Sequence, residues 1–399
     1  MRVLLVATEF PPGPGGIGTH AFELARHLSL RGWAVTVLAS QDYVTAEDAR
    51  SFNAAQPFRI VTWARPPLGP LRIFGRVASL TRLVRAEAPD AVVASGSRAV
   101  LAAAQACRRT GTPWLAVGHG TEFGARRLRG IALRHAFRHA SSVVLVSEFT
   151  RRLFRDFSGR DGGEVIPNGA DPARFRVVTP LESARAVADI GVPPGRLLIT
   201  VGNVTPRKGQ DVVVRALPRI LRGVPDARYV VAGLPTDAER ISRLAADCGV
   251  SERVHLVGRL DPQRLVGALN AAELFVLTSR RTASGDVEGY GIAVVEAALC
   301  GKPALVSRGS GLEEAIVEGE TGVAVPSEDP AATADAAAEI LSDAPRLRRM
   351  GERARERALA EQTWDRRVDR YASLLESLAG ARPAVEADRR RKRAPAAAP

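Results

Sequence analysis

The sequence predicts an α/β protein made of two domains, each a doubly wound, mostly parallel sheet. Three observations predict it. The chain has 399 residues, too many for one ordinary core and suited to two domains of roughly 150–200 residues. Short, all-apolar runs alternate with amphipathic stretches along both halves. That is the pattern of strands buried on both faces, joined by crossover helices. Prolines and glycines collect in the middle, at Pro167, Gly169, Pro172, Pro180, Pro193 and Pro194, and mark the join.

In the first half, residues 3–7 form a β-branched apolar run and read as the first buried strand. The loop PPGPGGIGT follows. Thr19 or His20 is expected to open a helix carrying Phe22, Ala25, Leu28 and Leu30 and stopped by Gly32. Residues 33–39, 91–94, 114–118 and 142–146 are further strands, with helical stretches between them. In the second half, residues 197–202, 228–232, 254–257, 274–277 and 304–307 read as strands, and 210–223, 290–300 and 331–343 as helices. No short internal repeat is present, which excludes a solenoid. From about Arg382 the chain is rich in Ala, Pro and Arg and is expected to be disordered.

Composition is that of a soluble globular protein, with 46% hydrophobic and 25% charged residues. No apolar run approaches the ~20 residues of a membrane span. The opening MRVLLVATEF is interrupted by Glu9 and lacks a small-residue cleavage site, so it reads as a strand rather than a signal peptide, and a cytoplasmic location is expected. Cys107, Cys248 and Cys300 are far apart and odd in number, which suits buried free thiols and neither a disulfide framework nor a metal knuckle.

The net charge of +13 is unevenly placed. Residues 59–160 carry 18 Arg against 5 acidic residues, and Arg389-Arg390-Arg391-Lys392-Arg393 adds five more cations. A basic first half fits an anionic acceptor or an anionic membrane surface; Arg on solvated faces explains it equally well. The stretch from Arg126 to His139 mixes cations with apolar residues. It stands as either an inner-leaflet contact or a core helix with a solvated Arg face. Nucleic-acid binding is excluded by the lack of a recognisable module or aromatic stacking set.

Three segments carry chemistry. Gly13-Pro14-Gly15-Gly16-Ile17-Gly18 lies between a strand and a helix and satisfies G-x-G-x-x-G. Glycines there let backbone N–H groups approach an anion at a helix start. With Asp42 about 24 residues on, a dinucleotide site and a merely tight turn both remain open. Gly202-Asn203-Val204-Thr205-Pro206-Arg207-Lys208-Gly209 follows a strand and precedes a helix, where open α/β sheets bind ligands. Arg207 and Lys208 there suit a diphosphate; a solvated turn is the alternative. In Glu288-Gly289-Tyr290-Gly291-Ile292-Ala293-Val294-Val295-Glu296 the glycines expose amides at a helix start. Glu296 stands in an apolar stretch, where a carboxylate needs a partner, such as a ribose diol.

EGYGIAVVE, followed by AALCGKPALVS, resembles the signature of glycosyltransferase family 4. The resemblance extends along most of the chain: the Gly15-Gly16 loop, His119-Gly120-Thr121-Glu122 after a strand, Ile166-Pro167-Asn168-Gly169-Ala170-Asp171, Val257-Gly258-Arg259-Leu260, and Trp364 with the helix after it. It implies the GT-B architecture, two Rossmann-like domains facing across a cleft. Residues 1–170 would be the acceptor-binding domain and 171–362 the donor domain. Residues 363–381 would be a helix returning to the first domain, and 382–399 a basic tail. It also implies a retaining transfer from a UDP or GDP sugar to a glycan, lipid-linked or small-molecule acceptor. His119 and Glu288 would lie at the reacting sugar. Gly15, Gly16, Asn203, Arg207, Lys208, Arg259, Leu260, Gly289, Tyr290, Gly291, Ile292 and Glu296 would hold the donor. One departure stands out: the family's usual Arg is replaced by Asn203, which carries no charge for a phosphate, and Arg207 is the nearest substitute. No Asp-x-Asp triplet occurs, so neither a metal nor another cofactor is expected. Fixed cations and backbone dipoles can stabilise the leaving group instead. A nucleotide-sugar 2-epimerase on the same architecture is the alternative reading.

Overall fold

The structure, a computed structural model, describes residues 1–42, 44–63, 71–125 and 127–380. Arg126 of the basic stretch, residue 381 and the tail expected at 382–399 lie outside the described residues. The chain divides into two units: Met1–Asn168 with the segment from Trp364 onward, and Gly169–Thr363.

In the first unit β1 (Arg2–Ala7), α1 (Gly16–Leu30), β2 (Ala34–Ala39), α2 (Ala46–Ala54), β3 (Arg59–Thr62), α3 (Leu71–Glu87) and β4 (Ala91–Ser95) are followed by α4 (Ser97–Thr110), β5 (Trp114–Gly118), α5 (Arg127–Arg138), β6 (Ser142–Leu145), α6 (Glu148–Ser158) and β7 (Glu164–Val165). The strands form one sheet in the order β3-β2-β1-β4-β5-β6-β7, with every pairing parallel. Val3, Leu4, Leu5, Val6 and Ala7 are all buried because helices cover both faces of β1. The winding reverses between β1 and β4, so the loops after these two strands flank a crevice at their carboxyl ends.

Helix α1 starts at Gly16, earlier than the sequence led us to expect. Gly15, at φ 139°, turns the chain and acts as N-cap, and the Thr19 amide already donates to the Gly15 carbonyl at 3.0 Å. The glycine loop is therefore itself the first helical turn.

The second unit contains α7 (Pro180–Asp189), β8 (Arg196–Val201), α8 (Gln210–Gly223), β9 (Ala227–Ala232), α9 (Ala238–Asp247), β10 (Val254–Gly258) and α10 (Pro262–Ala271). These are followed by β11 (Leu274–Leu277), α11 (Ile292–Leu299), β12 (Ala304–Ser307), β13 (Gly322–Val325), α12 (Pro330–Ser342) and α13 (Ala344–Glu361). Its sheet runs β10-β9-β8-β11-β12-β13, again parallel throughout, with the reversal between β8 and β11. Thr200 on β8 ties this centre together: its hydroxyl lies 2.7 Å from the Tyr229 hydroxyl on β9 and donates to the Val276 carbonyl on β11.

Helix α7 falls inside the Pro-rich join, where the sequence suggested only a connection. Pro180 sits in the first turn, where its missing N–H is harmless. Thr179 and Glu182 close a capping box around it. Helix α14 (Trp364–Gly380) belongs to the first unit and packs on α1. His20 Nε2 lies 2.9 Å from the Tyr371 hydroxyl, and His27 Nδ1 2.8 Å from Asp365. The three cysteines are free; Cys107 and Cys300 are buried, but Cys248 is only half-buried. No described helix is long and apolar enough to cross a membrane.

Candidate functional site

The crevice of the second unit is built by two loops. Residues 202–209 leave β8, and residues 278–291 leave β11. Backbone and side-chain bonds join them: the Arg280 amide donates to the Arg207 carbonyl at 2.8 Å, and the Thr278 hydroxyl to the Gly209 carbonyl at 2.8 Å. Gly209 is held at φ 72°, and a Cβ there would stand 2.0 Å from the Thr278 carbonyl oxygen, so only glycine lets the two loops close. Gly291, at φ 86°, is the N-cap of α11 and places the start of that helix beside the same crevice.

Glu288 lies at the centre. Its Oε2 accepts from Lys208 Nζ at 2.8 Å and from Arg207 Nη1, and Arg207 Nε also lies 3.4 Å from Asp286. The side chains of Lys208 and Glu288 are each 13% exposed. Burial pushes the Glu288 carboxyl up, but the charges and hydrogen bonds of Lys208 and Arg207 outweigh it and hold the group at about 2. Burial lowers the Lys208 ammonium, with Glu288 pulling it back up; Glu296 acts in the same direction, so it stands within electrostatic reach. Glu288 is thus held by two cations at once. The cluster is a fixed pair of positive groups balanced by one carboxylate, a device able to bind a diphosphate.

The remaining expected donor residues of this unit divide. Asn203 is tied into the turn after β8. Its Oδ1 accepts from the Leu234 amide at 3.2 Å, and its carbonyl accepts from Gln210 Nε2, which ties the turn after β8 to the turn after β9. Arg259 and Leu260 follow the end of β10, Arg259 exposed and Leu260 half-buried. The Tyr290 side chain is 2% exposed and turned into the core, where Gln362 Nε2 donates to its hydroxyl at 3.2 Å. Ile292 opens α11 and is half-buried. Gly289 is pressed against a segment the sequence reading passed over: a Cβ at Gly311 would stand 1.8 Å from the Gly289 carbonyl oxygen, and the Gly311 amide donates to the Glu288 carbonyl at 3.1 Å. The turn at Ser310-Gly311-Leu312 thus holds the acidic loop in place. The Gly-x-Gly spacing of Gly309 and Gly311 just after a strand was the available signal.

In the first unit, the loops after β1, β4 and β5 converge. His119 Nε2 lies 2.8 Å from Ser95 Oγ, and the His119 and His20 rings meet edge to face at 5.0 Å. Burial lowers His119 to about 4 and holds His20 well below the usual histidine range, with the His119 charge adding to the latter. Both rings are neutral near pH 7. Glu122, fully buried, accepts from the His119 amide at 3.0 Å, and its Oε1 has no hydrogen-bond partner. Burial pushes its carboxyl up to about 7 against the pull of three backbone amides, and Glu9 adds to the rise. A Cβ at Gly15 would stand 2.0 Å from Glu9 Oε2, so a carboxylate already lies over the glycine loop, whereas Gly16 has open space beside it. Sequence reasoning missed His20, Ser95 and Glu9: His20 and Ser95 meet His119 only through the sheet order, and Glu9 comes over Gly15 only through the fold of the loop between them. The described residues hold no group of three or more His, Cys, Asp or Glu placed to bind a metal ion.

Comparison with known proteins places this geometry in a family. Residues 190–357 match the model of glycosyl transferases group 1, and residues 14–174 that of glycosyltransferase family 4. A GDP-mannose-dependent alpha-(1-6)-phosphatidylinositol monomannoside mannosyltransferase of Mycolicibacterium smegmatis is 32% identical, over 96% of this chain and 100% of its own. The monoacylated-substrate counterpart of Corynebacterium glutamicum is 28% identical over 94% and 98%. Among solved structures, HepE of Anabaena in complex with UDP and glucose superposes with a TM-score of 0.80, at 20% identity, over 94% of this chain and 100% of that one. With two parallel-sheet α/β units and a relative alike over its full length, this chain belongs to the group 1 glycosyltransferases, its N-terminal region being of the family 4 type.

Proposed function

We propose that the protein is a retaining mannosyltransferase that uses GDP-mannose and a phosphatidylinositol-linked mannoside or similar lipid-linked acceptor, without a metal ion. The donor and acceptor classes are supported by whole-length similarity to enzymes named for GDP-mannose and phosphatidylinositol monomannoside. The observation that carries the chemistry is the Lys208–Glu288–Arg207 cluster at the switch point of the second sheet.

In this reading the diphosphate lies against Lys208 and Arg207, with the amides at Gly289, Gly291 and Ile292 beside it. As the sugar C1–O bond breaks, negative charge gathers on the departing phosphate oxygen, and the two fixed cations stabilise it. That oxygen takes the proton of the acceptor hydroxyl, which attacks from the same face, so the anomeric configuration is kept. Glu288 orients sugar hydroxyls and forms no covalent bond. Glu296 receives the ribose diol, and Gly16, Arg259 and Leu260 complete the donor contacts. His119, held neutral, offers a hydrogen bond to the sugar. Metal independence is supported by the lack of an Asp-x-Asp triplet and by the two cations that stand where a metal would otherwise neutralise charge.

The test is incubation with GDP-mannose or UDP-glucose and a phosphatidylinositol mannoside, with chelator present. Products are followed by mass spectrometry and anomeric NMR, and free nucleotide is assayed. Mannosylated lipid with an α-linkage and stoichiometric GDP is expected. Transfer only from UDP-glucose would overturn the donor, inversion would overturn the mechanism, and loss of turnover with chelator would overturn metal independence.

A further inference from the structure

Helix α5 is a core helix on one side and something else on the other. Leu133, Ala136 and Phe137 enter the hydrophobic core, as an amphipathic helix requires. Its outer face is not merely solvated arginine: Leu128 is 83% exposed and Ile131 65%. Three residues apart, they share one face. Phe74 on α3, 65% exposed, joins them. These three, with Leu101 on α4, line a groove of about 570 Å³ closed at its margin by Arg109 and His135. That volume is in the range of small-ligand sites. Leaving three large apolar side chains in water forgoes roughly 1.5–3 kcal/mol each relative to full burial, and such a clustered patch marks a contact surface.

The rim decides what the surface contacts. Arg108, Arg109, Arg127, Arg129 and Arg134 are exposed, and among the described residues none of them is paired with a carboxylate. Arg109 stands on the groove margin, and with the four other exposed arginines of α4 and α5 it makes a cationic surface beside apolar side chains, which complements a sheet of phosphodiesters over hydrocarbon. These arginines also oppose a second copy of the chain, which would bring the same cations face to face.

We propose that the α3–α4–α5 groove takes a hydrocarbon chain of a phospholipid in an anionic leaflet, with the exposed arginines of α4 and α5 on its phosphates. The site deepens the lipid-linked-acceptor reading above and rests on it for its purpose, but its geometry is independent of the donor crevice.

The experiment uses the full chain and vesicles that contain no acceptor: phosphatidylcholine alone, or with phosphatidylglycerol, at low and high salt. Wild type is expected to co-sediment with the anionic vesicles and to release at high salt. The double variant Leu128→Ser/Ile131→Ser, altered only at exposed positions, is expected to bind them about 10-fold more weakly or worse, with GDP affinity unchanged. Leu128→Trp fluorescence is expected to be quenched by lipids brominated on the acyl chain. The proposal is overturned by absence of vesicle binding, by binding that the double variant leaves intact, by absence of quenching, or by a wild-type dimer that the double variant dissociates. Failure of the mannosyltransferase reading shows instead in the product assay, which these vesicles do not enter.

Discussion

The ammonium of Lys208 lies 2.8 Å from Oε2 of Glu288, and that same oxygen meets Arg207. The carboxylate thus holds both cations in position while occupying part of the charge that a diphosphate would seek. Replacing either member should have opposite effects on nucleotide binding. Lys208→Ala removes a charge-assisted contact of about 1.5–3 kcal/mol, so GDP affinity falls by at least ~10-fold, and turnover by roughly 10²–10³-fold. Glu288→Gln leaves the cations free for phosphate, so GDP binds as well or better while turnover falls over the same range. Calorimetry with GDP and the product assay check the pair. Equal loss of GDP affinity in both variants would show that Glu288 only scaffolds the cluster.

Asn203 and Arg207 separate a structural from an electrostatic role at the departure from the family pattern. The Asn203 side chain holds the Leu234 amide, while Arg207 points at Glu288 and Asp286. Asn203→Ala is expected to lower stability by about 1 kcal/mol through the lost hydrogen bond and to leave GDP affinity within a factor of about three. Arg207→Ala is expected to weaken GDP by ~10-fold or more. Urea denaturation and calorimetry on the two variants provide the measurement. A larger GDP effect at Asn203 than at Arg207 would reverse the assignment.

Most of the strands were legible because parallel strands buried on both faces are continuous apolar runs; residues 274–277 and 304–307 were bounded correctly for that reason. The edge strands β3, β7 and β13 were not: β3 (RIVT) and β7 (EV) are nowhere fully buried and carry no continuous apolar run, and β13 (GVAV) opens on a glycine. Arg207, Lys208 and Glu288 were legible as residue types, but their meeting on one carboxylate oxygen depends on β8 and β11 being neighbours, which no local pattern states. Tyr290 was named with the donor segment without a direction for its side chain, which is buried and bonded to Gln362, since an aromatic ring beside a helix start can point either way until packing decides. The Ser95–His119 contact joins residues 24 apart through two strand ends and leaves no mark in the spacing.

Glu122 gives a pH signature of definite sign. Its carboxyl is raised from an ordinary 4.5 to about 7 by burial. Between these values the folded chain keeps a proton that the unfolded chain has released, so the group's contribution to stability declines as pH rises from about 4.5 to about 7 and is flat above. Glu122→Gln cannot titrate. The stability of wild type minus that of the variant should therefore fall across this window, by up to about 3 kcal/mol. Urea midpoints at a series of pH values check it; a difference that rises with pH would mean that the carboxylate is charged in the folded state. Near pH 7 the same variant retains the acceptor for the His119 amide, so its activity is expected to stay within a few-fold of wild type.

Two glycines with the same backbone angle separate strain from clash. Gly191 and Gly209 both have φ 72°, but a Cβ at Gly191 meets nothing within 4 Å, whereas at Gly209 it would stand 2.0 Å from the Thr278 carbonyl oxygen. Gly191→Ala therefore bears only the left-handed penalty of about 1–2 kcal/mol and should not alter nucleotide binding. Gly209→Ala bears that penalty and must also push the loop after β8 away from β11, because the obstacle is backbone and cannot rotate aside. Its loss of stability should exceed that of Gly191→Ala by about 2 kcal/mol or more. GDP affinity should fall with it, since Arg207 and Lys208 ride on the displaced turn. Urea denaturation and GDP calorimetry on the two variants settle the comparison. Equal stability losses, or unaltered GDP binding in Gly209→Ala, would show that the close approach of the two loops does not position the cations.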